Sequence, residues 1–353
     1  MGDYGKVVTG NTPPTKDIEN YENGTYLWAS PADLSTIKLI SETKTKLSSK
    51  GFSKTRALPK GSVLVTCIGS TIGKTGMATK EMSTNQQINS IVVNDNNDNE
   101  FVYYAIQSAF PRYLSSIAVQ AVPIISKSAF EMLPNKRPCL QEQKKIGKFL
   151  SLLDERIATQ NKIIDKLQSL IKGISGRIFA SIQGIEYRMS DIASITNGDS
   201  NVQDAVTESN DGLYPFFDRS EDIKYLSTFL FDKEAIIYPG EGAEFIPRYF
   251  KGKFALHQRC YAIFDFNEII DAQYLYFYLK TQNSYFVRNA VGSTVPSLRL
   301  DTFQKLKVVV PPKKIQYSVS LCLSSMEQKF NIENDILQML LKQKQYLLRQ
   351  MFI

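Results

Sequence analysis

The chain has 353 residues and is 43% hydrophobic, enough for two domains with ordinary cores. Lysine and arginine outnumber aspartate and glutamate, giving a formal net charge of +7 and a pI near 9.0, which suits a nucleic-acid partner without requiring one. No apolar run approaches the ~18–20 residues that cross a bilayer, residues 1–14 lack the apolar core of a signal peptide, and the single histidine, His257, makes a multi-histidine metal site or a Ser–His–Asp triad hard to build. Cys67, Cys139, Cys260 and Cys322 form no C-x-x-C pair. That argues for a reducing, cytoplasmic setting and against a zinc ribbon, and each is read as a small buried hydrophobe.

Residues 1–138 read as a mixed α/β region. Residues 62–68 and 88–93 are strand-like, turn signals such as Asn23-Gly24 and Pro59-Lys60-Gly61 punctuate them, and residues 101–110 have the pattern of a short amphipathic helix. Pro138 marks a boundary. Residues 139–182 then form one long helix. Ile146, Leu150, Leu153, Ile157, Gln160, Ile164, Leu167, Ile171, Ile174 and Ile178 alternate steps of four and three, an a/d seam with one polar member.

Residues 183–312 repeat the order of the first region loosely. Gly2-Asp3 through Thr9-Gly10 is echoed by Ser190-Asp191 through Asn197-Gly198. Leu58-Pro59-Lys60-Gly61 resembles Ile237-Tyr238-Pro239-Gly240, and Val122-Pro123 matches Val295-Pro296 at an offset of 173. Residues 313–353 carry the seam again at that offset, as Val319, Leu323, Met326, Phe330, Glu333, Leu337, Leu340, Lys344, Leu347 and Met351. The expected fold class is α+β: two α/β domains joined by two long antiparallel helices in a coiled coil, a cyclic pseudo-twofold internal repeat. Gln160 and Glu333 would then form a polar layer near the middle, fixing register. The simpler alternative is that each helix packs on its own domain only.

Gly69-Ser70-Thr71-Ile72-Gly73-Lys74-Thr75 follows a strand and resembles a P-loop, but it is one residue short and lacks a strong following helix. The better reading is a polar loop whose N–H groups, with Ser70, Thr71 and Lys74, touch DNA phosphate. Asp33 with Glu42-Thr43-Lys44 is solvated charge rather than a nuclease site, and no catalytic constellation or AdoMet loop stands out. Asn85, Gln86 and Gln87 either read adenine edges or cap turns and strand ends; both readings stand. Their counterpart in the second half is His257-Gln258-Arg259, with Arg219, Arg248, Lys251 and Lys253 as further basic donors. His257 has a structural or DNA-contact role rather than a metal one.

Taken together, the chain resembles the DNA-specificity subunit of type I restriction–modification systems. The carrying residues are Gly2-Asp3 through Pro13, Leu58 through Leu64, Ile68 through Lys74, Thr84 through Asn89, and the helix start Glu142-Gln143-Lys144-Lys145-Ile146 with Phe149 through Ile157. Pro311-Pro312 and Lys314-Ile315-Gln316 repeat that start. The resemblance implies two target-recognition domains, 1–138 and 183–312, each reading one half of a bipartite site on double-stranded DNA. It implies that the helices set the gap, and a strut of ~50 Å matches about 15 base pairs at 3.4 Å each. It also implies that the strut and its flanks, taken as Gln143, Leu150, Leu153, Ile157, Leu323, Met326 and Phe330, dock two modification (methyltransferase) subunits. Restriction (motor–nuclease) subunits would join that core. This chain would bind no cofactor, with AdoMet, ATP and Mg on the partner subunits, and supply no catalysis. A scaffold that assembles partners through its coiled coil without reading DNA is the alternative. Two departures stand out. Ile185 through Ser190 lead into the second copy with no equivalent before Gly2, so the first domain is expected to lack an opening strand. Residues 134–137 also replace the apolar strand of residues 306–310.

Overall fold

The computed structural model describes residues 1–34, 38–116 and 124–352. It divides into two compact units, Met1–Asn161 with Ile336–Ile353, and Lys162–Asp335.

In the first unit, strands β1 (Gly5–Thr9), β2 (Tyr26–Ala29), β3 (Leu39–Ile40), β4 (Thr45–Leu47), β5 (Val63–Thr66), β6 (Thr75–Ala78), β7 (Ser83–Thr84) and β8 (Ile88–Val93) make two sheets. The larger has the order β1-β8-β5-β6-β3, antiparallel except at β3–β6; the smaller is β4-β2-β7. Side chains alternate across a strand, and β5 is buried on both faces. Val63 and Val65 pack with Phe101 and Tyr104 of the helix Asn99–Ser116, while Leu64 packs with Leu27 and Ala29 of β2. This explains why β5 reads as a continuous apolar run. The helix is longer than its sequence pattern suggested, and Asp98 Oδ1 caps it by accepting from the Phe101 N–H at 2.9 Å.

The second unit contains β9 (Ile185–Arg188), β10 (Ser194–Asn197), β11 (Tyr214–Phe217), β12 (Lys224–Leu226), β13 (Phe231–Pro239), β14 (Arg248–Leu256), β15 (Cys260–Phe264) and β16 (Lys307–Val310). Its main sheet, β10-β15-β13-β14-β11-β12, repeats the order β1-β8-β5-β6 in its first four members. The repeat differs at one place. The nine-residue β14 pairs with both β13 and β11, whereas the first unit divides that role between β6 and β7, which separates its smaller sheet. β9 and β16 pair antiparallel. The described residues of the first unit hold no such pair. There the Met1 ammonium donates to the carbonyls of Glu131 and Leu133 at 2.9 and 2.5 Å, and Tyr4 OH reaches the Lys136 carbonyl at 3.4 Å.

The register corrects one sequence match. Ile125 N–H donates to Cys67 O and Leu298 N–H to Gly240 O, both at 2.8 Å, so Gly240 stands where Cys67 does, beyond the end of its strand. Leu58-Pro59-Lys60-Gly61 leads into β5 at the opposite end; the resemblance to Ile237 through Gly240 is one of turn composition, not of place. Val122 and Pro123 lie outside the described residues, but the neighbouring bridges Ile68–Ile124 and Glu241–Ser297 keep the same offset. Among the cysteines, Cys67 and Cys260 are buried as expected, and burial pushes their thiols up to about 12 and about 11; Cys139 and Cys322 are exposed.

The long helices are Leu140–Ser181 and Lys313–Met351, roughly 60 Å each at 1.5 Å per residue. Every seam position is buried or half-buried. In the first unit, Ile146 and Leu150 share a core with Leu347, Leu348, Met351 and Phe352, and Asp154 pairs with Lys344 at 2.6 Å. In the second, Ile174 and Ile178 share a core with Val319, Leu323 and Met326. In each unit the two helices therefore run antiparallel, and each helix contributes to both units. Residues 139–182 and 313–353 are not separate bodies, because their seams complete the domain cores. Gln160 and Glu333 are both buried, and Lys329 pairs with Glu333 at 2.5 Å.

Gln143 and Gln316 begin the two helices in the same way. Gln143 Oε1 accepts from the Asp98 N–H at 3.1 Å, and its Nε2 donates to Asn97 Oδ1 and the Pro138 carbonyl at 3.2 and 3.0 Å. Gln316 Oε1 accepts from the Asp271 N–H at 2.7 Å, and its Nε2 donates to the Ile269 and Pro311 carbonyls, both at 2.8 Å. Each amide pins a long helix to the capping aspartate of its own domain's helix.

Candidate nucleic-acid interface

The residues singled out from sequence gather at one end of each main sheet. In the first unit these are the loop between β5 and β6 and the turn between β7 and β8, joined where Cys67 N–H donates to the Gln87 carbonyl at 2.8 Å. In the second unit they are the loop after β13 and the turn between β14 and β15.

The two turns are built alike. Asn85 N–H donates to Ala29 O at 2.9 Å, Asn85 Oδ1 accepts from the Gln87 N–H at 3.0 Å, and the Asn85 carbonyl accepts from Ile88 N–H at 3.2 Å. His257 N–H donates to Phe217 O at 2.9 Å, its Nδ1 accepts from the Arg259 N–H at 3.2 Å, and its carbonyl accepts from Cys260 N–H at 2.8 Å. Asn85 and His257 thus do one job, capping the turn from inside. Of the two readings left open for the amides, turn capping holds for Asn85, which is buried and also donates to Gln87 Oε1 at 3.0 Å. Gln86 and Gln258 occupy the next position and are exposed; Gln87 and Arg259 occupy the one after.

The β5–β6 loop departs from expectation. Gly69 and Gly73 adopt φ of +96° and +92°, which L side chains rarely adopt, and the loop folds on itself. The N–H groups of Ile72, Gly73 and Lys74 donate to the carbonyls of Gly69, Thr66 and Thr71 at 3.1, 2.9 and 3.2 Å. They are spent within the loop and cannot cradle a phosphate. β6 starts at Thr75, so no helix N-terminus faces the loop. What the loop presents outward is the Lys74 ammonium, the exposed Ser70 and the half-buried Thr71.

In the second unit, Arg219, His257, Gln258 and Arg259 line one open cavity of about 290 Å³ with Val202, Asp218, Glu241 and Cys260. Burial opposes ionisation of Asp218, yet Lys224 at 2.6 Å and the Ser220 hydroxyl hold its carboxyl below the ordinary range. Arg248 is not part of this cavity. Its Nη2 donates to the Ser220 carbonyl and its Nη1 is buried without a partner among the described residues, so it braces a loop rather than reaching outward. Lys251 and Lys253 are exposed, and Lys253 Nζ sits 4.8 Å from the Phe229 ring centre. Among the described residues no group of three or more His, Cys, Asp or Glu side chains could hold a metal ion.

Desolvation pulls the His257 pKa below 6.5, against the opposing pull of Asp218. With Nδ1 accepting, Nε2 carries the proton of the neutral ring. Because the folded pKa is depressed, this contribution to stability is present above the unfolded pKa of about 6.5 and is lost as pH falls through the folded value. An imidazole titration followed by NMR is expected to show a midpoint below 6.5, with the Arg259 amide resonance shifting in the same step. A midpoint above 6.5 would contradict this tautomer.

The description "type I restriction modification DNA specificity domain" fits the chain twice, over residues 1–169 and 185–342. The chain belongs to this family. Similar specificity-family proteins include the MjaIX specificity subunit of Methanocaldococcus jannaschii, 30% identical over 174 residues, which is 47% of this chain and 40% of that protein. The HindI specificity subunit of Haemophilus influenzae is 28% identical over 182 residues, 48% of this chain and 39% of that protein. The EcoDI specificity subunit of Escherichia coli is 28% identical over 127 residues, 36% of this chain and 28% of that protein. The matched stretches thus span two fifths or less of these relatives. The specificity-family fold extends further. A type I system S subunit from M. genitalium has a TM-score of 0.66 at 18% identity, covering 99% of this chain and 93% of that one. A chain from a study of type I system assembly and conformational transition has a TM-score of 0.61 at 13% identity, covering 98% and 95%.

Within this family fold, the helix residues assigned to partner docking need correction. Gln143, Leu150 and Leu323 are almost fully buried in their own unit and hold the helix on its domain; Leu153 is 9% exposed. Ile157, Met326 and Phe330 are half-buried seam residues. The exposed apolar side chains on the long helices are others, among them Phe149, Leu152, Leu170, Leu321, Met339 and Tyr346. The signal that could have found them is their position outside the a/d seam, where an apolar residue has no intrachain role.

Proposed function

We propose that this protein is the non-catalytic DNA-specificity subunit of a type I restriction–modification enzyme, each unit reading one half of a bipartite duplex site. The observation that carries this is the duplicated scaffold. Two sheets with the same strand order present, at the same end, equivalent turns whose outward residues differ: Gln86 and Gln87 in one, Gln258 and Arg259 in the other. A repeat that keeps its framework and varies its presented side chains suits two ligands of one class and different sequence. The exposed apolar residues along the long helices support docking of two modification subunits, with motor–nuclease subunits joining them. AdoMet, ATP and Mg belong to those partners in this reading. Co-expression with the neighbouring methyltransferase subunit, followed by genome-wide mapping of N6-methyladenine, tests it. One bipartite motif with a fixed gap is expected. A complex that forms but methylates no defined motif would instead favour a scaffold.

A further inference from the structure

We propose that Arg259 reads a guanine in the half-site of the second unit and that Glu241 is its positioning residue. This rests on the reading that the two units recognise DNA, and goes further by assigning a base to a side chain. Arg259 Nη1 donates to Glu241 Oε1 at 2.8 Å; the arginine side chain is 63% exposed and the glutamate 16%. Ser297 Oγ donates to the same Glu241 oxygen at 3.3 Å, and residues 241 and 297 form a backbone bridge, so the carboxylate is anchored before it meets the guanidinium.

The backbone beneath Arg259 is fixed as tightly. His257 caps the turn, Asn197 Nδ2 donates to the Gln258 carbonyl at 3.0 Å, and a Cβ on Gly240 would lie 1.8 Å from the Arg259 carbonyl oxygen. Only glycine lets the two strands approach this closely. One of the guanidinium's five donors is spent on Glu241, and that bond sets the plane in which the others project. A planar fork held on a rigid turn at an open cavity matches the O6 and N7 acceptors of guanine in the major groove. A lysine-like phosphate contact would need no such orientation.

The other unit supplies an internal control. The shared hydrogen-bond register places Gln87 where Arg259 stands, Ile68 where Glu241 stands and Ile124 where Ser297 stands. All three members of the ion-paired triplet are replaced by neutral residues, two of them apolar. The triplet therefore varies as a unit, as expected of a base-reading device rather than a feature of the common fold.

The test is selection from a randomised duplex pool by the full chain, alone and with its modification subunits. Wild type is expected to enrich a motif with a guanine in one half. Arg259→Ala should lower the preference for that guanine roughly tenfold to a hundredfold and leave the other positions and the other half unchanged. Glu241→Gln should weaken the same position alone, and Arg259→Lys should keep overall affinity without restoring the preference. A uniform loss across all sequences would make Arg259 a phosphate contact, and an unchanged preference would remove its role; either overturns the assignment while leaving DNA reading intact. If wild type enriches no motif, the DNA-reading function fails and this inference with it.

Discussion

Replacing Gln316 with leucine is expected to unfold the second unit selectively. The side chain is 0% exposed and spends its amide on three backbone groups: the Asp271 N–H and the Ile269 and Pro311 carbonyls. Asp271 in turn caps the helix Ala272–Lys280 through the Tyr274 N–H and accepts from Ser320 Oγ of the long helix, at 2.8 and 2.9 Å. Leucine has similar volume but leaves those three groups without partners away from water. At about 1–3 kcal/mol for each orphaned group, the loss is on the order of 3–6 kcal/mol, a large part of a typical 5–15 kcal/mol. Hydrogen exchange under mild urea should show residues 162–335 losing protection while residues 1–161 keep theirs. A destabilisation below about 1 kcal/mol would mean that water satisfies these groups, and the pinning role would be wrong. Gln143→Leu should do the same to the first unit with a smaller effect, since its three bonds, at 3.0–3.2 Å, are longer. Gln143→Pro would add the loss of its own N–H bond to the Cys139 carbonyl, 3.0 Å, in the first helical turn.

The glutamine pair also shows what the sequence made legible. The heptad seam and its recurrence at an offset of 173 could be read because periodicity survives over many turns and is indifferent to tertiary detail. The structure buries or half-buries every seam position. Gln143 and Gln316 were visible as a repeated motif, but which surface they met was not. An amide at a helix start serves a partner or its own domain equally well on paper, and only the strand register decides. The same holds at the DNA-facing ends. Asn85 and His257 look unrelated in sequence, yet both accept from the N–H two residues on, a role set by turn geometry rather than residue type. Glu241 was passed over because the pattern drew attention to a lysine missing from its loop, not to the arginine opposite. Proline–glycine pairs misled for a related reason: they punctuate both ends of strands, so composition alone paired the lead-in to β5 with the exit from β13.

A chain stopped after Tyr346 is expected to lose the first unit. Leu347, Leu348, Met351 and Phe352 pack into the core formed by Val63, Val65, Phe101 and Tyr104, and the Phe352 ring lies 5.3 Å from that of Phe101. Two polar links close the same contact, from Ser108 Oγ to the Leu348 carbonyl at 3.2 Å and from Arg112 Nη2 to the Phe352 carbonyl at 3.1 Å. Full burial of such a side chain is worth roughly 1.5–3 kcal/mol, so four partly buried ones sum to about 5 kcal/mol, comparable with the whole stability of a domain. The network of Lys344, Asp154, Tyr104 and Lys38 remains in the shortened chain but cannot compensate. Its charges already carry a desolvation cost, and its ion pairs do not replace lost apolar contact. Protection of residues 99–116 against hydrogen exchange should therefore collapse while residues 185–310 stay protected. Unchanged protection would show that the segment merely lies on a finished core. In the methylation map, if each unit reads its own half-site, this truncation should erase or blur one half of the motif and leave the other legible. Loss of both halves together would instead point to a helix end needed for partner assembly.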